Sequence, residues 1–283
     1  MTLRLDNFQT VAAAQSNTGR RASKKSIGGR NRTRFPPNFS LLTSCFLLHT
    51  CRVGFYSDQI FPRLMDWIMR ARRFRELRRQ VLAPARGHVL EIGFGTGLNL
   101  PHYSKSVTWL TAVDPANFPN KLVEKQTTAG SIPVKLVRLS AETLPFESGQ
   151  FDWAVSTWTL CTIPDPVTAL REVRRVLKPG GQFIFLEHGR SDDPKVLKWQ
   201  NRLNPLQRLI ACGCNLNRPI DALVRQAGLT ITQMERFQMG GVPRIAGAMY
   251  RGIATPHRPI LAEPLTSGRY RPIAPGAPGG GAV

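Results

Sequence analysis

Acidic side chains and long apolar runs are both scarce in this sequence. Eighteen Asp and Glu stand against 39 Lys and Arg, a net charge of +21 over 283 residues. No stretch reaches the roughly 18 consecutive apolar residues that a membrane-spanning helix needs. Five cysteines, Cys45, Cys51, Cys161, Cys212 and Cys214, are too few and too scattered for a disulfide framework in a chain of this length. A reducing, cytoplasmic setting is therefore expected. Cys212 and Cys214 lack a second pair at zinc spacing, so no metal is expected either.

The positive charge is unevenly spread. Residues 1–52 carry nine basic residues and one acid, residues 53–255 carry 27 and 16, and the last 28 carry three and one. The first of these regions reads as a basic N-terminal extension without apolar period, ending in the brief patch Phe39–Leu48. A targeting segment, a weak membrane anchor and upstream translation before a working start near Val53 are the three readings it allows. Residues 256–283 read as a Pro/Gly-rich disordered tail. That leaves one large α/β domain over 53–255.

The domain is organised around Val89-Leu90-Glu91-Ile92-Gly93-Phe94-Gly95-Thr96-Gly97. His88 to Ile92 form a short strand, glycines follow at every second position, and Leu98 to Tyr103 are expected to open a helix. Bare glycine backbone lets a ligand approach closely, and a helix N-terminus would add unpaired N–H groups. A dinucleotide fingerprint would need a third glycine where Leu98 stands, which argues against a nicotinamide dehydrogenase. Seventeen residues beyond Gly97, the strand Trp109–Val113 ends in Asp114, placed to accept two hydrogen bonds from a ribose diol.

With these residues the chain resembles the class I S-adenosylmethionine-dependent methyltransferases, whose cofactor has a ribose and an adenine but no phosphate. Further matches are Ser140-Ala141-Glu142-Thr143-Leu144-Pro145-Phe146 and the run from Arg171 to Phe183 that contains Lys178-Pro179-Gly180-Gly181. Leu186-Glu187-His188, Trp199-Gln200 and Cys212 to Arg218 are similar to the methyltransferase-like alkyl-thiol methyltransferases. The resemblance covers roughly residues 54–254. It implies a Rossmann-like α/β sheet of seven strands, strands 1–6 parallel and strand 7 antiparallel, with helices on both faces. It also implies S-adenosyl-L-methionine as cofactor, held by Glu91, Gly93, Gly95, Gly97, Asp114, Ala141, Glu142 and Thr157. Relatives often carry an aspartate where Ser140 stands, which leaves the Ala141 backbone N–H to serve the adenine.

The remaining strands are expected at Val134–Arg138, Asp152–Ser156, Gln182–Glu187, Leu229–Phe237 and Ile245–Ala254. Helices are expected near Lys121–Gln126, over Val167–Leu177, and from a cap at Asn217 to Ala227. Thr157 to Ile163 would face the reactive methyl. His188 is the candidate base and Cys161 a pocket residue, since a thiol of pKa about 8.5 needs only a modest base. The expected acceptor is small and apolar, an alkyl thiol first, with a phospholipid amine or a quinone precursor as alternatives.

Before the first strand, Leu64, Trp67, Ile68, Ala71, Phe74, Leu77 and Val81 recur at helical spacing among arginines. A lid helix with a solvated basic face is the plain reading. The Arg70–Arg79 stretch also suits peripheral contact with an anionic membrane. Recognition of a specific nucleic acid is not expected, because aromatic stacking residues in the pattern of an RNA module are missing nearby. A non-catalytic lipid- or RNA-binding module is the alternative of another class.

Overall fold

The structure is a computed structural model and describes residues 54–116 and 132–256. The helix expected near Lys121–Gln126 and both terminal regions lie outside the described residues. Seven strands form one sheet: β1 (Gly87–Ile92), β2 (Val107–Val113), β3 (Val134–Val137), β4 (Phe151–Thr157), β5 (Leu177–His188), β6 (Leu229–Gln238) and β7 (Ala248–Pro256). Their order is β3-β2-β1-β4-β5-β7-β6. Pairings from β3 through β5 are parallel, and β7 runs antiparallel to both β5 and β6. This is the expected Rossmann-like methyltransferase sheet.

Strands buried on both faces read as continuous apolar runs, which is why β1 and β4 are evident in the sequence. Leu90 and Ile92 point into one layer with Phe183, Phe185 and the helix α3 (Pro166–Val176). Val89 points into the opposite layer with Leu110, Val155 and Leu82. Asp165 starts α3 by accepting from the Val167 and Thr168 amides. The helix ends at Val176, and the Lys178–Gly181 segment is a bulge within β5: Phe151 pairs with Leu177, but Trp153 pairs with Gln182.

Four other helices differ from or add to the sequence reading. The lid is two helices, α1 (Phe61–Met69) and α2 (Arg72–Leu82), broken where Ala71 adopts an extended ψ of 147°. No Gly or Pro marks that break, and the apolar period runs straight through it. Asp193 caps α4 (Pro194–Ile210). The last helix, α5 (Ile220–Gln226), begins after Pro219, and Asn217 does not cap it. Proline at that position fixes the chain, and the Asn217 amide instead donates to Asn201. Among the described residues no helix is long and apolar enough to cross a membrane.

Strand β1 has β2 on one side and β4, reached later in the chain, on the other. Order reverses at this point, and the crevice beyond the carboxyl ends of β1 and β4 is where ligands bind in such sheets. A cavity of about 510 Å³ lined by Arg86, Asp152, Lys178 and Gly181 lies at the opposite, amino edge.

Candidate active site

At that carboxyl edge the chain bends on glycine. Gly93, Gly95 and Gly97 have φ of 75°, 59° and 81°, left-handed values that a side chain rarely tolerates. A Cβ on Gly93 would strike the Thr159 side chain, whereas a Cβ on Gly95 would meet none of the described residues within 4 Å. The bend is thus packed from below and open above. Asp114 faces it: Gly95 N donates to one carboxylate oxygen at 2.8 Å and Ala116 N to the other at 2.9 Å. Only 8% of Asp114 is exposed, and burial pushes its carboxyl above the usual range against those two amides. Bare backbone that no described residue covers, beside a buried carboxylate, fits a ribose and the chain that extends from it.

The helix expected at Leu98–Tyr103 is absent, and a single 3-10 turn, Leu100–His102, takes its place. Too few residues separate Gly97 from β2 for a helix and a return, and Pro101 starts the turn. The bend therefore offers no helix N-terminus.

Beneath the bend lies a buried polar network that the sequence did not reveal. Glu91 accepts from Asn99 Nδ2 at 2.9 Å and from Tyr103 at 2.7 Å, and Asn99 Nδ2 also reaches Thr157 Oγ1 at 3.0 Å. Burial raises Glu91 to about 7, against those hydrogen bonds and the nearby Arg78 charge. Arg78, expected on a solvated face, is 4% exposed. Its guanidinium donates to Asn99 Oδ1 and the Met69 carbonyl and sits 4.8 Å over the Trp158 ring. Burial outweighs its acidic neighbours and lowers it to about 10. Asp66 ties α1 to the bend, accepting from Thr96 Oγ1 at 2.6 Å and from Arg70 Nε at 2.7 Å.

The structure does not join every predicted cofactor residue directly. Ala141 is buried in an apolar cluster with Leu144 and Leu160. Glu142 accepts from Ser140 Oγ at 2.9 Å and from the Asp165 amide at 2.6 Å, so its carboxylate braces the start of α3. Thr157 reaches the bend through Asn99.

Glu187, expected at the end of a strand, also shapes the loop after β4. It is fully buried and accepts from Ser156 Oγ at 2.6 Å, Thr159 N at 2.9 Å and Leu160 N at 3.1 Å. Burial still raises its carboxyl to about 7. A charge inside an otherwise apolar run was the available signal. Trp158 in this loop has φ of 50°, a strained value for a large side chain, fixed by the hydrogen bond its backbone N–H donates to Leu186 O and by Phe74 edge-on at 5.5 Å. Cys161 follows, 2% exposed. His188 Nε2 lies 3.1 Å from Cys214 Sγ. Contact with Cys161 and then burial hold the Cys214 thiol far above its ordinary range.

A family profile described as a methyltransferase domain matches residues 90–185, from β1 to β5. Human thiol S-methyltransferase TMT1B is 32% identical over 170 residues, 57% of this chain and 69% of that protein. The chain belongs to the class I S-adenosylmethionine-dependent methyltransferases. S-adenosylmethionine is its cofactor. Rat TMT1B is 32% identical over 151 residues, 52% of this methyltransferase and 62% of its own length, so the shared part falls short of two thirds of that relative. The phosphatidylethanolamine N-methyltransferase of Cereibacter sphaeroides is 28% identical over 161 residues, 55% of this chain and 76% of the relative. Likeness of fold extends to the 1,6-didemethyltoxoflavin-N1-methyltransferase of Burkholderia thailandensis, solved with S-adenosylhomocysteine. Its TM-score is 0.52 at 19% identity, over 80% of this chain and 94% of that one.

Proposed function

We propose that this methyltransferase acts on a small, apolar acceptor, an alkyl thiol in the first instance. One observation carries the reading. Past the glycine bend, Trp158 and Cys161 of the β4 loop and His188 at the end of β5 come together with Cys214, while the Glu187 carboxylate is turned inward and taken up by Ser156, Thr159 and Leu160. Such a group desolvates a thiol, and its buried carboxylate, Glu187, is already engaged by the loop rather than offered to an amine. The names of the TMT1B relatives support the same class, whereas the phosphatidylethanolamine enzyme speaks for an amine.

In this reading Gly93, Gly95 and Gly97 give the cofactor close access to backbone, and Asp114 binds the ribose hydroxyls. Glu91 and Thr157 act through Asn99 to hold the cofactor's amino end. Ala141 backs the adenine, and Glu142 fixes the neighbouring turn. Bound there, the cofactor supplies a methyl group on a sulfonium, already activated for in-line displacement. The protein's task is to bring the acceptor to attack distance and strip its water. Near neutral pH a thiol needs little help to ionise, and in the metal-free chain His188 takes that proton while Cys161 lines the approach.

The acceptor would reach the site from a lipid surface. Phe55, Ile60, Leu64, Trp67 and Ile68 are exposed on the first helices, and Leu206, Leu209 and Ile210 are exposed on α4. Tyr56 joins the two groups by donating to Ile210 O at 2.7 Å. The exposed arginines Arg72, Arg73, Arg75 and Arg79 of α2 follow α1 directly in the chain, a combination suited to anionic lipid. Labelled S-adenosylmethionine incubated with thiol, amine and quinol panels tests the acceptor class. Methyl transfer to alkyl thiols at least tenfold faster than to the others is expected, and label appearing on the amine instead would refute the assignment.

A further inference from the structure

The acceptor side holds a trio that the methyl-transfer reading does not use fully. Cys161, His188 and Cys214 come from the β4 loop, the end of β5 and the loop after α4. Their ligand atoms all lie within 4.8 Å of one another. Only the fold unites them. Zinc bonds of about 2.3 Å to sulfur and about 2.0–2.1 Å to nitrogen, set tetrahedrally, put ligand atoms roughly 3.5–3.8 Å apart. The trio brackets that spacing, with His188 Nε2 already 3.1 Å from Cys214 Sγ.

The backbone around the trio is fixed from several directions. Asn215 donates twice to Cys161 O, from its backbone and side-chain nitrogens, each at 2.9 Å. Arg218 donates to the carbonyls of Leu160 and Ile163, and Asn204 holds both Asn215 and Leu216. Gly189 lets the Arg218 carbonyl pass where a Cβ would collide with it, which locks the end of β5 to the Cys214 loop. Rigid support of this kind is what a metal site needs and a chance meeting of side chains lacks. The ring nitrogen that faces the thiols is Nε2, and it is the atom a metal would take. Nδ1, across the ring, is buried without a hydrogen-bond partner, the sole such side-chain polar atom among the described residues, and a metal held by Nε2 leaves Nδ1 as the protonated nitrogen.

We propose that Cys161, His188 and Cys214 form a zinc site, with the fourth position open to the sulfur of the acceptor. Two thiols and one imidazole are a soft donor set that selects zinc over magnesium or calcium, and three protein ligands leave a coordination place free. The inference rests on the thiol reading above. With zinc bound, His188 is a ligand and no longer a base. The acceptor thiol releases its proton to solvent as its sulfur joins the metal. That sulfur then takes the methyl group, and the electron pair of the broken carbon–sulfur bond stays on the cofactor sulfur, giving a thioether and S-adenosylhomocysteine.

Metal content of the full chain after dialysis against zinc, together with near-ultraviolet absorption of the cobalt-substituted protein, tests the site. One metal per chain and a thiolate-to-cobalt band are expected. Cys214→Ser and Cys161→Ser should weaken zinc binding more than about tenfold, while Cys212→Ser, outside the trio, should not. Addition of an alkyl thiol should shift the cobalt band. Absence of bound metal from the unaltered protein would overturn the proposal whatever the folding of the variants. So would a cobalt spectrum without thiolate character. Thiol methylation that persists at full rate in metal-stripped enzyme would leave the thiol function standing and remove the metal from it. Trio-dependent zinc without thiol methylation would support the metal site and count against the thiol function alone.

Discussion

Gly93 and Gly95 stand two residues apart in the same left-handed conformation, yet they should answer differently to alanine. At Gly93 a Cβ meets the Thr159 side chain, so Gly93→Ala is expected to destabilise the fold through both strain and overlap. At Gly95 the described residues leave the space open, so the cost to folding is backbone strain, about 1–2 kcal/mol. The new methyl then stands where the cofactor would lie. Gly95→Ala and Asp114→Ala should therefore both fold and both lose S-adenosylmethionine affinity, the latter by about 1–3 kcal/mol from lost charged hydrogen bonds. Calorimetric titration checks this, and unchanged affinity in Asp114→Ala would remove the ribose role. At this scale the sequence was informative about local chemistry and silent about distant partners. Gly95 and Asp114 were legible because a bare turn and a strand-ending acid have few other uses. Arg78 was not, since its partners Asn99 and the Trp158 ring lie many residues away. Nor was the Cys161–His188–Cys214 trio, whose members the sequence keeps far apart.

Elements were legible where burial imposes a period. The strands β1, β4 and β5 and the helix α3 stand within a few residues of where their apolar runs place them. The break between α1 and α2 was hidden, because apolar residues on either side continue the same helical spacing. That break matters, since it lets α2 lay Phe74 and Arg78 against Trp158 while α1 turns Trp67 outward, 74% exposed. Trp67→Glu should leave the fold intact and reduce sedimentation with vesicles of anionic lipid severalfold, more at low salt than at high salt. Equal sedimentation of variant and unaltered protein would exclude α1 as a lipid-contacting face.

Across the whole molecule, two buried carboxylates make stability depend on pH. Glu91 and Glu187 are both raised from 4.5 to about 7, chiefly by burial. Below about pH 4.5 folded and unfolded chains hold these protons alike. Between about 4.5 and about 7 the unfolded chain has released them and the folded chain has not, so these two groups stabilise the fold less as pH rises through that window. Glu91→Gln keeps an acceptor for Asn99, and its amide can donate to the Tyr103 oxygen. Relative to the unaltered protein it should gain on the order of 1–3 kcal/mol between pH 5 and pH 8. Denaturant unfolding at both values measures this, and an identical difference at the two would show that Glu91 ionises freely in the folded state.

Glu187 and His188 are neighbours at the tip of one strand, and they govern different things. The carboxylate dictates the path of the Thr157–Leu160 backbone, and the imidazole meets the chain that follows α4. Trimming or lengthening β5 by a single residue would exchange the faces of the pair, so the β4 loop would lose its buried anchor and Cys214 its imidazole neighbour in one step. Substitutions in the Ala211–Arg218 loop would reach the same group from its other side, and Asn215 and Arg218 would have to stay, because they hold the β4 loop by its carbonyls.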